Sequence, residues 1–345
     1  MRTYPDTLVK IIETSGLNIN QISKMSGISN TYLTKLVKQK INHPGKDKIA
    51  SILLGLNHTI SRINQVLADY DYQPLNRHDI PQILKNNRKR RFEGRVLPHY
   101  DSIYFELVLA ALEDLGGTKI IVWSRPSAIF LPMDLYMDRE FPGELQPGIY
   151  GDTDFYRIFT REIVAQRKAL FLENSRRGMT YETYMCRECL AMGMENNIGA
   201  KAQADNPARV DQVARFYANV VSFVLKAPDQ HRYGIMERCP YFQFQIQDAH
   251  GKNPKVSFTS TRKHARETKW EAPHIQGFFS NAPGITDLFT TEVDHCRESA
   301  HLSPELNSPQ GFHNHIRKGF ACHGVEETFD RALAELMADP ELRLH

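Results

Sequence analysis

The chain has 345 residues, of which 41% are hydrophobic and 24% charged, with a formal net charge of +3. This composition excludes wholesale disorder and a disulfide-built scaffold, and the lack of an apolar run of about 18 residues argues against a membrane-spanning helix. The charge is uneven: residues 1–95 carry 16 Lys+Arg against 7 Asp+Glu, which leaves 27 against 33 for the remainder. A basic module joined to an acidic body suits a phosphate-binding head on a sensor.

A single core stops growing near about 250–300 residues, so at least two domains are expected. The first residues lack the charged segment and apolar run of a signal peptide. Five cysteines, an odd number, point to a reducing, cytoplasmic setting.

Taken in chain order, Leu8, Ile11 and Ile12 recur at helical spacing until Gly16. A second helix is predicted over residues 20–26, with Ile22 and Met25 inward and the small Ser23 where helices approach. Gly27 supplies the turn, because it adopts positive φ without a Cβ penalty. A third helix is predicted from Ser29, its N-cap, to about Lys40. Ile22, Ile28, Leu33 and Leu36 then form a wedge of core. The outer face of the third helix is left with Asn30, Thr31, Thr34, Lys35 and Lys38, side-chain types that read base edges or bind phosphates. Residues 42–45 form a loop, and residues 46–56 and 59–67 two more helices, completing an all-α bundle.

The stretch NQISKMSGISNTYLTKLVKQKINHP, residues 20–44, resembles the lambda-repressor-like (Cro, or XRE) helix-turn-helix family. It shares the Gln near the start of helix two, the Gly in the turn, the apolar positions around it and a Pro after the recognition helix. It departs at Ser23, where the family usually has Ala. The resemblance covers about residues 5–72 and implies binding to double-stranded DNA by a homodimer. It implies that Gln21, Asn30, Thr31 and Thr34 approach bases, that Lys35, Lys38 and Lys40 approach phosphates, and that Ser29 sits at the DNA-facing start of the reader.

A basic linker is expected over residues 76–98, with Arg88, Lys89, Arg90, Arg91 and Arg95 near its end. Beyond it, residues 99–300 are expected to form a mixed α/β or α+β domain. A helix is predicted over residues 104–115 and a buried strand over 119–123, which opens into a loop. Ser124, Arg125 and Ser127 in that loop are candidates for holding a polar or anionic effector, since strand C-termini often carry ligand sites. Helices are predicted over residues 155–172, 181–192 and 207–225. Strands follow over 232–238, 241–248, 255–260 and 275–279, and then a helix to about residue 298. GFFSNAP, residues 277–283, followed by an amphipathic helix loosely resembles the close of effector domains appended to helix-turn-helix regulators. A polar tail, residues 301–345, ends in a helix over 325–337 that either covers the body or joins a dimer.

No phosphate loop, dinucleotide fingerprint, HExxH or GxSxG motif occurs, so no catalytic set is assigned and no cofactor follows. Cys186 and Cys189 form a CxxC pair that is compatible with metal binding, redox chemistry or simple burial. Cys239, Cys296, Cys322, His295, His313, His315 and His323 are available as further ligands. Asp229, His231, Tyr233 and Glu237 are a loose acid/base set. The expected function is a DNA-binding transcriptional regulator with a sensor domain. The alternative is a nucleotide-acting or defence-type enzyme under the control of the same N-terminal module.

Overall fold

The computed structural model describes residues 4–91, 95–100, 102–123, 126–140, 153–237, 239–240, 243–260, 275–341 and 344. The chain divides into two compact units. The first comprises Met1–Asp114, Glu140–Arg167 and Ser260–Ser280; the second comprises Leu115–Arg139, Lys168–Thr259 and Asn281–His345. The units do not follow chain order: segments from the middle of the chain group with the N-terminal part.

The first unit begins with six helices: α1 (Thr7–Thr14), α2 (Ile19–Ser26), α3 (Asn30–Val37), α4 (Lys46–Gly55), α5 (Ile60–Asp69) and α6 (Ile80–Asn87). Leu8, Ile12, Ile22, Leu33, Leu36, Ile49, Leu53, Ile63 and Leu67 are all buried, as their spacing requires. The first five helices lie where they are predicted, but α3 stops at Val37 instead of near Lys40. Gln39 takes φ 54, a left-handed conformation that cannot continue a helix.

The segment expected as a free linker contains α6, which buries Ile80, Ile83, Leu84, Asn86 and Asn87. Asn86 explains its docking. Its Nδ2 donates to Asp47 Oδ2 and to Ser51 Oγ, both at 3.1 Å. Arg90, expected in solvent, is 2% exposed. The basic residues of this stretch are therefore partly structural. The unit also holds β1 (Arg95–Tyr100), which the sequence did not suggest, and α7 (Ser102–Glu113). The last strand in sequence, Ile275–Ser280, runs antiparallel to β1, with Arg95 opposite Phe279. Glu106 of α7 and Arg167 form a buried ion pair, with Nη1 2.5 Å from Oε2.

The second unit is built on five strands: β2 (Lys119–Trp123), β3 (Tyr181–Cys186), β4 (His231–Met236), β5 (Phe244–Gln247) and β6 (Lys255–Ser260). Their order is β6-β5-β2-β3-β4, and Ile275–Ser280 is β7. β2, β3 and β4 are parallel, whereas β5 pairs antiparallel with β2 and with β6. The observed architecture is thus an all-helical N-terminal region followed by a mixed sheet with helices.

Residues 181–192 are corrected from a helix to a strand followed by a helix. All six residues of β3 are buried, as befits a parallel strand with neighbours on both sides. Glu182 is tolerated there because its Oε2 accepts from Tyr184 OH at 2.9 Å and from Arg297 Nη2 at 2.9 Å. Burial first, then the Glu182 charge, raises the Tyr184 pKa.

Helices α8 (Met133–Glu140) and α9 (Thr153–Arg176) follow β2. After β3 come α10 (Arg187–Ile198), α11 (Ala200–Asp205) and α12 (Pro207–Lys226), and the chain ends with α13 (Pro283–His301), α14 (Pro304–Asn307), α15 (Pro309–Ala321) and α16 (Glu326–Ala338). The tail is therefore more ordered than its polar start suggests. Phe312, Ile316 and Phe320 of α15 are buried, as are Phe329, Leu333 and Leu336 of α16. Phe320 meets Tyr217 of α12 edge-on at 5.8 Å. Lys226 Nζ donates to the carbonyl of Leu336 at 2.7 Å, satisfying a helix end that lacks its own donor. The final helix covers the body.

Candidate nucleic-acid interface

The candidate interface is set by the two caps around the α2–α3 turn. Asn18 precedes α2 and its Oδ1 accepts from the Gln21 N–H at 2.9 Å, while Gln21 Oε1 accepts from the Asn18 N–H at 3.0 Å. This reciprocal capping box occupies one end of the Gln21 amide. At the other end, Gly27 has φ 71 and its N–H bonds to the Ser23 carbonyl at 2.9 Å. A Cβ there would lie 2.0 Å from the Asn86 carbonyl oxygen, so glycine is required twice over. Ser23 itself is half-buried; the small residue at the close approach is Ser26, whose Cα would be 2.9 Å from a Cβ on Gly55.

Ser29 then caps α3, its Oγ accepting from the Tyr32 N–H at 3.3 Å. Leu33 and Leu36 turn inward and fix the rotation of the helix. The loop after α3 is held in turn. His43 lies between the rings of Tyr4 and Tyr72, with centroids 4.4 and 4.9 Å away. Its Nε2 is 2.9 Å from the Tyr70 carbonyl, which makes that nitrogen the protonated one in the neutral ring. Tyr72 OH donates to the Pro44 carbonyl at 3.2 Å.

With both ends fixed, Asn30, Thr31, Thr34, Lys35, Lys38 and Lys40 are all exposed and together line an open concavity of about 390 Å³. Lys10, Lys46 and Lys48 elsewhere in the bundle pair with Asp6, Asp79 and Asp47. Lys35, Lys38 and Lys40 pair with no acid among the described residues. An exposed cationic row without counter-charges keeps its full electrostatic attraction for an anion. Lys38 and Lys40 lie beyond the end of the helix, in the turn made by Gln39.

No family model, curated protein or solved structure matches this chain.

The other candidates divide. Ser124 and Arg125 lie outside the described residues. Ser127 is half-buried and caps the short 3₁₀ turn Ala128–Phe130, its Oγ accepting from the Ile129 N–H at 3.4 Å. The proposed acid/base set does not assemble. Asp229 is exposed, Glu237 pairs with Arg187 at 3.3 Å, and His231 is fully buried. His231 packs on Phe223 at 4.9 Å and on Phe171 at 5.9 Å, and burial pushes its pKa down to about 4.

The cysteines do assemble. Of the seven further ligands available to Cys186 and Cys189, the structure selects Cys239; the three sulfurs lie within 4.8 Å of one another. Cys296 is buried, which pushes its pKa up to about 12, and Cys322 is exposed; neither joins the group. Burial opposes ionisation of Cys186, but hydrogen bonds from the Cys189 N–H, the neighbouring thiols and the Glu188 N–H outweigh it and lower its pKa. His313 stacks on Phe329, and His323 Nδ1 lies 3.6 Å from Glu195. His313 and His323 thus make packing and surface contacts.

Proposed function

We propose that α2, the Gly27 turn and α3 form a helix-turn-helix that binds double-stranded DNA, with α3 entering the major groove, and that the chain acts as a homodimeric transcriptional regulator. One observation carries this reading: six polar or basic side chains of α3 and the turn after it line one open concavity, and the three lysines among them have no acidic partner among the described residues. Side chains of these types hydrogen-bond base edges and neutralise phosphates. Two copies are needed because a short helix reads few base pairs. The second unit then serves as the sensor. An effector bound there changes DNA affinity only if it binds the two states of the protein unequally.

The test is binding of the full chain to its own upstream duplex and to a random duplex across a salt series. The reading expects preference for the upstream duplex and a logarithmic affinity that falls by about 0.9 per phosphate neutralised. Absence of salt-dependent binding to any duplex, or a monomer at saturating duplex, overturns it.

A further inference from the structure

Parallel strands bring distant residues to one edge of a sheet, and here they bring three thiols together. β3 ends at Cys186, which is also the residue before the first turn of α10. Cys189 is the third residue of that helix, so both thiols sit at its N-terminal end. The neighbouring strand β4 ends at Met236, the register partner of Cys186, and the chain then delivers Cys239 to the same edge. Cys189 Sγ and Cys239 Sγ are 3.1 Å apart, and all three sulfurs fall within 4.8 Å. All three are free thiols.

These spacings suit one cation. Metal–sulfur bonds of about 2.3 Å in tetrahedral geometry place thiolates about 3.8 Å apart, a spacing reached from the present cluster, all within 4.8 Å, by small side-chain adjustments. A covalent disulfide needs about 2.05 Å. The start of α10, where Cys186 is the N-cap residue, adds favourable partial charge for anionic sulfur. An all-thiolate set selects soft or borderline metals such as zinc over calcium or magnesium. Burial is graded from Cys186, buried, through Cys189 to Cys239, exposed, which leaves a path for an ion to enter.

We propose that Cys186, Cys189 and Cys239 are the protein ligands of a single zinc-class cation, with a fourth position taken by an exchangeable ligand. Among the described residues no fourth His, Cys, Asp or Glu donor joins the group. Three protein ligands and an open position are the pattern of a reactive or sensing site rather than a closed structural one. The site lies within the second unit and does not depend on DNA binding.

The experiment uses the full chain, reduced and stripped of metal, titrated without oxygen first with cobalt(II) and then with zinc. One cobalt per chain is expected, with thiolate-to-metal charge-transfer absorption that zinc abolishes by displacement. Outer-shell partners of a metal are worth about 10–100-fold in affinity, so Cys239→Ser, which removes a direct ligand at an exposed position, is expected to weaken binding by more than about 100-fold. Cys322→Ser is the control and retains full affinity. The proposal is overturned if the reduced protein shows no charge-transfer band at saturating cobalt, if Cys239→Ser binds as the parent does, or if the only change at these residues is a Cys189–Cys239 disulfide on oxidation.

Discussion

At the scale of single residues, the α2–α3 turn places its strictest demand on Gly27. A side chain there meets both an unfavourable φ of 71 and the Asn86 carbonyl at 2.0 Å. The left-handed conformation alone costs about 1–2 kcal/mol, and backbone must also move. Gly27→Ala is expected to destabilise the first unit by roughly 2–4 kcal/mol, read as a lower urea midpoint with an unchanged slope. Changes on the exposed face of α3 should leave stability alone and separate by role. Lys35→Ala is expected to weaken binding to all duplexes and to reduce the salt slope by about 1, whereas Asn30→Ala costs about 1–3 kcal/mol on the preferred duplex only. Equal losses on preferred and random DNA from both variants would sink this division of roles.

At the scale of elements, helices with regular periodicity were legible and residues with distant partners were not. Leu8, Ile22, Leu33 and Ile63 each announce a buried helical face by spacing alone. β3 does not announce itself, because YETYMC places Glu182 and Thr183 inside a sheet. Tyr184 two residues on and Arg297, far along the chain, make that glutamate tolerable. α6 was hidden for the opposite reason: its charged neighbours read as solvent-facing, while the anchoring contact is Asn86 to Asp47 and Ser51. The same limit applied to the cysteines, since CxxC was visible and the choice of Cys239 depended on strand order. The Glu106–Arg167 pair is likewise a contact between elements, with side chains 5% and 4% exposed. Removing one partner, as in Glu106→Ala, takes the buried counter-charge from the other and is expected to cost about 3–5 kcal/mol, whereas replacing both with apolar residues of similar volume costs much less. A double-mutant cycle in urea measures this difference.

At the scale of the whole molecule, the two units should answer acid differently. His231, the first residue of β4, lies among aromatic rings, and neither of its nitrogens has a hydrogen-bond partner among the described residues. Its folded pKa of about 4 lies below the ordinary 6.5, so the unfolded chain binds the proton first. The stability of the second unit is therefore complete above about pH 6.5 and declines as pH falls toward about 4. Between pH 7 and pH 5 the loss is roughly 2 kcal/mol from this residue. His231→Phe is expected to remove that part of the acid sensitivity, seen by comparing urea midpoints of parent and variant at both pH values. An identical pH dependence in the two proteins would show that the imidazole titrates freely in the fold.

If α3 reads DNA as proposed, its abrupt end sets how much information one copy can carry. Eight helical residues ending before Gln39 span roughly 12 Å, enough to place three or four side chains against bases. A word of about four base pairs recurs by chance roughly once in every 256, so a lone reader would meet thousands of equivalent sites on a genome of about 10⁶ positions or more. Joining two such words at fixed spacing squares the odds to roughly one in 65,000. On the proposed DNA-binding reading, the left-handed residue at position 39 limits the vocabulary of each copy, and selectivity becomes a matter of counting copies and the distance between them.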